Sequence, residues 1–176
     1  MQTVIAKAHP DEAGELRGLF EKQLAELYWA EGIMQNMLKG AIIQSSSSDL
    51  VRVLQQHLRE TVAQRERLLN IFIDIGVPAH ELPYESIACL VKEAEDFIKA
   101  TRQGVVRDAG SIALIQKIKH YEIACYGTMR AYALALREEG VVTLLEQTLE
   151  EEKATDALLS AIAISHINTE AADKEI

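Results

Sequence analysis

The sequence predicts an all-α protein built as a four-helix bundle, and three observations carry that prediction. The chain of 176 residues has only three prolines, at positions 10, 78 and 83, so its second half is free of this helix breaker. Apolar residues recur at spacings of three and four over long segments, and no window alternates as a strand does. Short connections join the helices within two pairs, and a longer connection carrying an extra short helix joins the pairs. This is the ferritin-like arrangement of the four-helix bundle.

The first half of the chain contains the first helical pair. One long helix is predicted from about Asp11 to about Ile43, and the serine-rich loop 45–49 offers an N-cap for the next. The second helix ends at the stop signal of Gly76 and Pro78. The inner stripe of the first helix consists of Phe20, Leu24, Leu27, Glu31, Met34 and Leu38. That of the second consists of Leu50, Leu54, His57, Thr61, Gln64, Leu68, Ile71 and Ile75.

The second half contains the crossover helix and the second pair. The crossover helix is predicted from Pro83 to about Thr101, and the next long helix from near Asp108 to about Glu139, closed by Gly140. A capping box, Thr143–Glu146, opens a last helix that reaches about His166. The inner line of the third long helix consists of Ile115, Glu122, Tyr126, Met129 and Ala133. That of the fourth consists of Leu145, Leu149, Glu152, Asp156, Leu159 and Ala163.

Length and composition limit the classes of function. We expect one bundle domain over residues 11–168, an N-terminal arm over 1–10 and a flexible tail over 169–176. A net charge of −9 disfavours sequence-independent binding to nucleic acid, and no apolar stretch approaches the roughly 18–20 residues that cross a bilayer. The two cysteines, Cys89 and Cys125, lie in apolar contexts and indicate neither a disulfide framework nor a zinc site. A cytoplasmic protein without nucleic-acid or membrane partners is predicted.

Carboxylates interrupt the inner stripe of every long helix near its middle. Glu31 lies on the first, His57 with Glu60 three residues on lies on the second, and Glu122 and Glu152 lie on the third and fourth. Each residue alone is more often a bundle-edge group, an ion pair or a hydrogen-bonded histidine. Ionised carboxylates cannot share a dry core without cations, however, so their coincidence on four helices favours a metal site. Oxygen ligands with one or two imidazoles suit iron or manganese.

Several segments resemble the ferritin-like bacterial YciE/YciF stress-protein family. They are "YWAEGIMQNML" (28–38), "HLRET" (57–61), "VRDAGSIALIQKIKHYEIACYG" (106–127) and "TLEEEKATDALL" (148–159). The similarity covers about residues 12–165. It implies a cytoplasmic, dimeric ferritin-like protein induced under stress, with a di-metal site. If the site is catalytic, we expect oxidative, ferroxidase-type chemistry in which Fe(II) reacts with oxygen or peroxide. The ligands that this resemblance implies are Glu31, His57, Glu60, Glu122, Glu151 and Glu152. Stripe geometry favours Glu152 over Glu151.

The chain departs from the usual di-iron pattern at three places. The second helix reads His-x-x-Glu rather than Glu-x-x-His, and the fourth has Ala154 and Thr155 where a second histidine would fall. The family's "EHYE" is "KHYE" here, which puts Lys119 one turn before Glu122 on the same face. These departures argue against a complete ferroxidase centre. Two hypotheses remain: a site for one or two metal ions, or a non-catalytic helical dimer in which Lys119, Glu122 and His57 form a structural polar network.

Overall fold

The structure of this chain, a computed structural model, describes residues 15–173 and is helical throughout. Its elements are α1 (Leu16–Gln44), α2 (Ser48–Asp74), α3 (Glu85–Ala100), α4 (Val105–Ala135), α5 (Glu139–Ile162), a π-helical turn (Ala163–Ile167) and α6 (Asn168–Ala172). No strand occurs within residues 15–173, so the all-α prediction is confirmed. The predicted arm over residues 1–10 and the predicted helix start at Asp11 lie outside the described residues.

The four long helices form a closed ring, and the crossover helix lies against one side of it. α1 packs on α2, α4 packs on α5, and α2 and α5 join the two pairs. The fourth side, between α1 and α4, is covered over part of its length by α3. This is the predicted arrangement of two hairpins and a long crossover. No helix within residues 15–173 combines the length and apolar character needed to cross a membrane.

The start of α2 is capped from two directions. The Ser47 hydroxyl accepts a hydrogen bond from the Leu50 N–H at 3.3 Å, which is the N-cap that the serine-rich loop predicts. The buried carboxylate of Asp108, on α4, accepts the N–H groups of Ser46 at 3.0 Å and Ser47 at 2.8 Å. Asp108 therefore ties the first turn of α4 to the loop between α1 and α2 and sets the register of the two pairs.

The turn between α4 and α5 differs from the prediction. α4 ends before Glu139, and Gly140 and Thr143 lie inside the first turns of α5, so neither closes nor caps a helix. Arg137 instead adopts a left-handed conformation at φ 61°, and the Glu138 N–H donates to the Ala133 carbonyl at 2.9 Å. This is the hydrogen-bond pattern of a Schellman motif, formed without its usual glycine.

The C-terminal segment extends further than expected. After α5 the chain continues through the π-helical turn, whose Ala163 and Ile167 are buried, into α6. α6 covers the first part of the segment predicted to be a flexible tail, and residues 174–176 lie outside the described chain. The apolar side chain of Ile167 packs into the core, which holds this segment against the bundle.

The core consists of two apolar clusters at the two ends of the bundle. One contains Met34, Leu38, Leu50, Leu54, Ile112, Ile115 and Leu159 among others. The other contains Phe20, Leu24, Leu68, Ile71, Phe72, Met129 and Leu145 among others. Between them the inner stripes carry Glu31, His57, Glu122 and Glu152, all of which are buried. A polar layer therefore divides the core at mid-height.

Candidate metal centre

The polar layer draws one or more side chains from each long helix. Glu31 comes from α1, His57 from α2, Lys119 and Glu122 from α4, and Glu152 from α5, and none is more than 1% exposed. Helical spacing explains their position, because each continues a stripe whose other members are mostly apolar core residues. The stripe prediction for these buried residues therefore agrees with the structure.

Three residues of this layer form a group with the geometry of a metal site. His57, Glu122 and Glu152 each offer one ligand atom, and these three atoms lie within 4.8 Å of one another. Glu31 approaches from α1, where its carboxylate oxygen Oε1 accepts a hydrogen bond from the Tyr126 hydroxyl. One imidazole and three carboxylates thus converge at the centre of the bundle, a donor set that suits iron or manganese.

Lys119 lies inside this group. Its Nζ is 2.5 Å from Glu122 Oε2 and also donates to Glu152 Oε2. The predicted pairing of Lys119 with Glu122 is present, and Glu152 is a second partner that the sequence did not indicate. The ammonium supplies positive charge to two carboxylates that would otherwise need a cation to compensate them.

Burial and charge set the protonation states of the cluster. Burial, with the neighbouring charge of Glu152, raises the pKa of Glu31 to about 8. Burial also raises the pKa of Glu122 well above its usual range, although Lys119 opposes this. Burial opposes the charged form of Lys119, but Glu122 and Glu152 outweigh it and raise the pKa of the ammonium. Burial and the Lys119 charge lower the pKa of His57, so its imidazole is neutral, the form that binds metal.

Four buried atoms of the cluster without hydrogen-bond partners indicate whether the cluster fits a metal ion. Both ring nitrogens of His57, Oε2 of Glu31 and Oε1 of Glu152 have no hydrogen-bond partner within residues 15–173. Buried polar groups are nearly always paired, so a completely unpaired buried imidazole calls for a ligand. Neutral imidazole nitrogen and carboxylate oxygen are both donors to iron and manganese, and the residues present therefore fit one such ion.

Two residues with a predicted ligand role lie outside the cluster. Glu60 is half-buried at the α2–α5 edge, where it accepts from Gln56 at 2.7 Å and from Thr155 at 3.2 Å. Glu151 faces Arg67, which donates to its two carboxylate oxygens at 2.5 and 2.8 Å. Both carboxylates are one helical step away from the inner line, so they reach the bundle edge instead of its centre.

One inner-line assignment on α5 is wrong. The stripe predicted Asp156 inside, but Asp156 is half-buried and accepts from Gln116 of α4 at 3.1 Å, while Thr155 is buried. Thr155 and Asp156, three and four residues after Glu152, both lie near the inner face of the helix. The hydrogen bond of Thr155 with Glu60 of α2 turns Thr155 inward rather than Asp156.

Sequence reasoning placed three further polar groups on the inner lines without assigning them a polar role. Tyr126 is one of them, and its hydroxyl donates to Glu31. The other two are Thr61 and Gln64, buried polar residues that follow His57 on the α2 stripe. Neither Thr61 Oγ1 nor Gln64 Oε1 has a hydrogen-bond partner in the described chain. The signal was present, because both residues lie on the predicted inner line one and two turns from His57.

Comparisons with known proteins identify the family. The model for a domain of unknown function, DUF892, matches residues 15–172. The chain belongs to this family. It is 34% identical over 160 residues to Protein YciF of Escherichia coli (strain K12). The aligned region covers 90% of this chain and 96% of that protein. The resemblance to the YciE/YciF proteins is therefore confirmed.

Solved structures agree with that assignment. The crystal structure of the E. coli stress protein YciF matches with a TM-score of 0.84, at 34% identity, over 88% of this chain and 98% of that one. YcfI from Rhodopseudomonas palustris matches with a TM-score of 0.81, also at 34% identity, over 85% and 96% of the two chains. A protein from Xanthomonas campestris, at 18% identity and a TM-score of 0.71 over 92% of this chain and 100% of that one, shares the fold.

Proposed function

We propose that this YciF-like protein binds a single metal ion, iron or manganese, in its mid-bundle cluster and functions in a stress response. The observation that carries the proposal is the imidazole of His57, which is buried and neutral with both nitrogens unpaired beside two carboxylates. A buried polar group without a partner is costly, and a metal ion removes that cost for the nitrogen that it binds.

The cluster residues have separate tasks in this proposal. His57, Glu122 and Glu152 hold the ion, and Glu31 is available as a further carboxylate. The Tyr126 hydroxyl fixes the Glu31 carboxyl through its hydrogen bond, and Lys119 balances the charge of Glu122 and Glu152. A redox-active ion, when bound, supplies one-electron chemistry toward oxygen or peroxide.

The rival function is a non-catalytic helical dimer with a structural polar network. The ion pairs of Lys119 with Glu122 and Glu152 favour it, because they neutralise two buried carboxylates without metal. The network that the rival requires also includes His57, which makes no hydrogen bond within residues 15–173. That residue favours metal binding over the rival.

A melting experiment with one substitution separates the two functions. Mn(II) should raise the melting temperature of the wild-type protein, because an ion that binds only the native state stabilises it by mass action. In His57→Leu this rise should disappear, while metal-free stability stays the same or increases because an unpaired polar group has been removed. His120→Leu, at an exposed position on α4, is the matched control and should retain the metal effect. A metal-free protein strongly destabilised by His57→Leu would support the rival.

We also propose that the protein is cytoplasmic and, as its resemblance to the YciE/YciF family implies, a homodimer. The acidic composition and the absence of any membrane-crossing helix from the described chain support a cytoplasmic location. The E. coli relative is named a stress protein, which supports a role in stress for this chain. Sedimentation equilibrium tests the dimer, since a single species at the monomer mass would exclude it.

A further inference from the structure

The interface between α2 and α5 is a polar seam. Its hydrogen bonds join Glu60 to Thr155 at 3.2 Å, Gln64 to Glu151 at 3.1 Å and Arg67 to Thr148 at 2.9 Å. We call these six residues the α2–α5 seam. Each step of three or four residues forward on α2 is a step back on α5, so the two helices run antiparallel and the contacts repeat turn by turn. Such a row of side-chain hydrogen bonds lies where a bundle usually has apolar contacts.

Unpaired oxygen atoms lead from the seam to the metal centre. Gln64 donates through Nε2 to Glu151, but its buried carbonyl Oε1 has no partner within residues 15–173. One turn along α2, the buried Thr61 Oγ1 is likewise unpaired there, and His57 follows one turn later. On the facing helix, Glu152 adjoins Glu151 in sequence and carries an unpaired Oε1. Oxygens of these types are the ligands that hard divalent cations prefer.

The outer end of this line is closed by an ion pair. Arg67 donates two hydrogen bonds, of 2.5 and 2.8 Å, to the carboxylate of Glu151. The Arg67 side chain is 12% exposed and that of Glu151 is 22% exposed. The guanidinium places a positive charge where a cation would arrive from solvent. When the pair opens, the carboxylate of Glu151 becomes available to that cation.

We propose that the α2–α5 seam is the route by which a divalent cation reaches the mid-bundle centre, with Glu151 as the outer carboxylate and Arg67 as the group that closes it. This inference rests on the metal binding proposed above. It assigns Glu151 and Gln64 to transit: Glu151 receives the ion, and the oxygens of Gln64 and Thr61 replace its water on the way to Glu152 and His57. Arg67 is a positioning residue that controls access.

The other opening near the centre has different chemistry. A cavity of about 230 Å³ lies between α1 and α4 beside the start of α3. Its lining includes the aromatic Tyr84 and Tyr121 and the polar Gln23 and Thr128, and Glu26 is its one carboxylate. None of these lining residues carries a buried oxygen without a hydrogen-bond partner within residues 15–173, whereas Thr61 and Gln64 on the seam side both do. This cavity is therefore the alternative route that the experiment must exclude.

The test is stopped-flow absorbance with Co(II) as the probe, which gives association and dissociation rates and, from their ratio, Kd. Gln64→Met preserves length and removes both polar atoms, so both rates should fall roughly tenfold or more, because the ion in transit loses a coordinating oxygen. Kd should remain close to that of the wild type. Arg67→Gln removes the closing charge and should raise the association rate. The matched control is Arg130→Gln, whose partner is Glu146 on the α4–α5 surface and which should leave both rates unchanged.

The outcomes separate this inference from the proposed function. A wild-type protein that binds no Co(II) overturns both. If Co(II) binds to Gln64→Met and Arg67→Gln with unchanged rates, the route alone is overturned. The route is also overturned if Co(II) dissociates faster from Gln64→Met without associating more slowly, because Gln64 would then be a ligand. Thr128→Trp, which fills the α1–α4 cavity, should not alter uptake. Slower uptake in that variant, with the seam variants unaffected, would place the route between α1 and α4.

Discussion

Replacing Lys119 by methionine perturbs the centre most directly. Methionine fills similar space with an unbranched apolar chain, so the substitution removes the charge with little change of shape. In the wild-type protein the Lys119 ammonium pairs with Glu122 and Glu152 at a site that is fully buried. Lys119→Met leaves these two carboxylates, with Glu31 nearby, facing one another without a cation.

The expected loss of stability in Lys119→Met follows from the burial of the ion pairs that Lys119 makes. Removing one partner of a buried ion pair costs about 3–5 kcal/mol, because the remaining charge is left without compensation. In a chain of 150–250 residues each kcal/mol lowers the melting temperature by roughly 2–4 °C, so the metal-free variant should melt about 6–20 °C lower. The carboxylates can relieve part of this cost by binding protons.

Proton binding makes the cost depend on pH, with a definite sign. The pKa of Glu31 is raised from 4.5 to about 8 in the folded protein, and that of Glu122 is raised well above 4.5. The stability that comes from holding these protons is complete below about pH 4.5 and is lost as the pH rises through the folded-state pKa. Lys119 lowers both pKa values, so its removal should cost more at pH 8 than at pH 5.

The assay is thermal and urea unfolding of the metal-free protein at both pH values, followed by circular dichroism. Lys117→Met is the matched control, because Lys117 lies on the same helix in an exposed pair with Glu93 and should change stability by about 0.5 kcal/mol or less. A loss below about 1 kcal/mol for Lys119→Met, or an equal loss at pH 5 and pH 8, would refute the charge argument.

Three other perturbations test parts of the same account. Lys119→Glu, which restores the family's "EHYE", should lower metal-free stability at least as much as Lys119→Met, because it removes the same cation and adds a buried carboxylate. It should also increase the metal bound per chain, measured by elemental analysis; destabilisation without added metal would support the structural rival. Tyr126→Phe removes the donor to Glu31 and should cost about 1–3 kcal/mol in urea unfolding, and an unchanged midpoint would show that this bond contributes nothing. The stability of the metal-free wild type should fall from pH 5 to pH 8, because the folded protein holds the proton of Glu31 more tightly than the unfolded chain does. Over the same range the Mn(II) affinity measured by calorimetric titration should rise, because metal displaces that proton; an affinity independent of pH would contradict the protonation of Glu31.

The fold was largely predictable because it depends on repeated spacing. Stripes such as Phe20 to Leu38 continue over many turns, and one misplaced residue does not change which face is buried. The α4–α5 turn was missed because Arg137 adopts a positive φ that only glycine favours, so no residue type marked the true helix end. Helix termini depend on one or two residues and lack that redundancy.

The site was predictable only in part, for a related reason. Periodicity places Glu122 and Glu152 on inner faces, but the pairing of Lys119 with Glu152 depends on the height at which α4 and α5 pack, which one helix alone does not determine. Resemblance grouped Glu151 with the ligands, whereas a step of about 100° along α5 takes it to Arg67 at the seam. Contacts between helices, rather than positions on them, decide these assignments.

The measurement that tests the central claim most directly is the metal content of the 176-residue protein purified without chelator. Elemental analysis should find about one iron or manganese ion per chain in the wild type, because the Lys119 ammonium already neutralises part of the carboxylate charge, and almost none in His57→Leu. A wild-type protein without metal after incubation with Fe(II) or Mn(II), or a His57→Leu variant with the same metal content, would contradict the account.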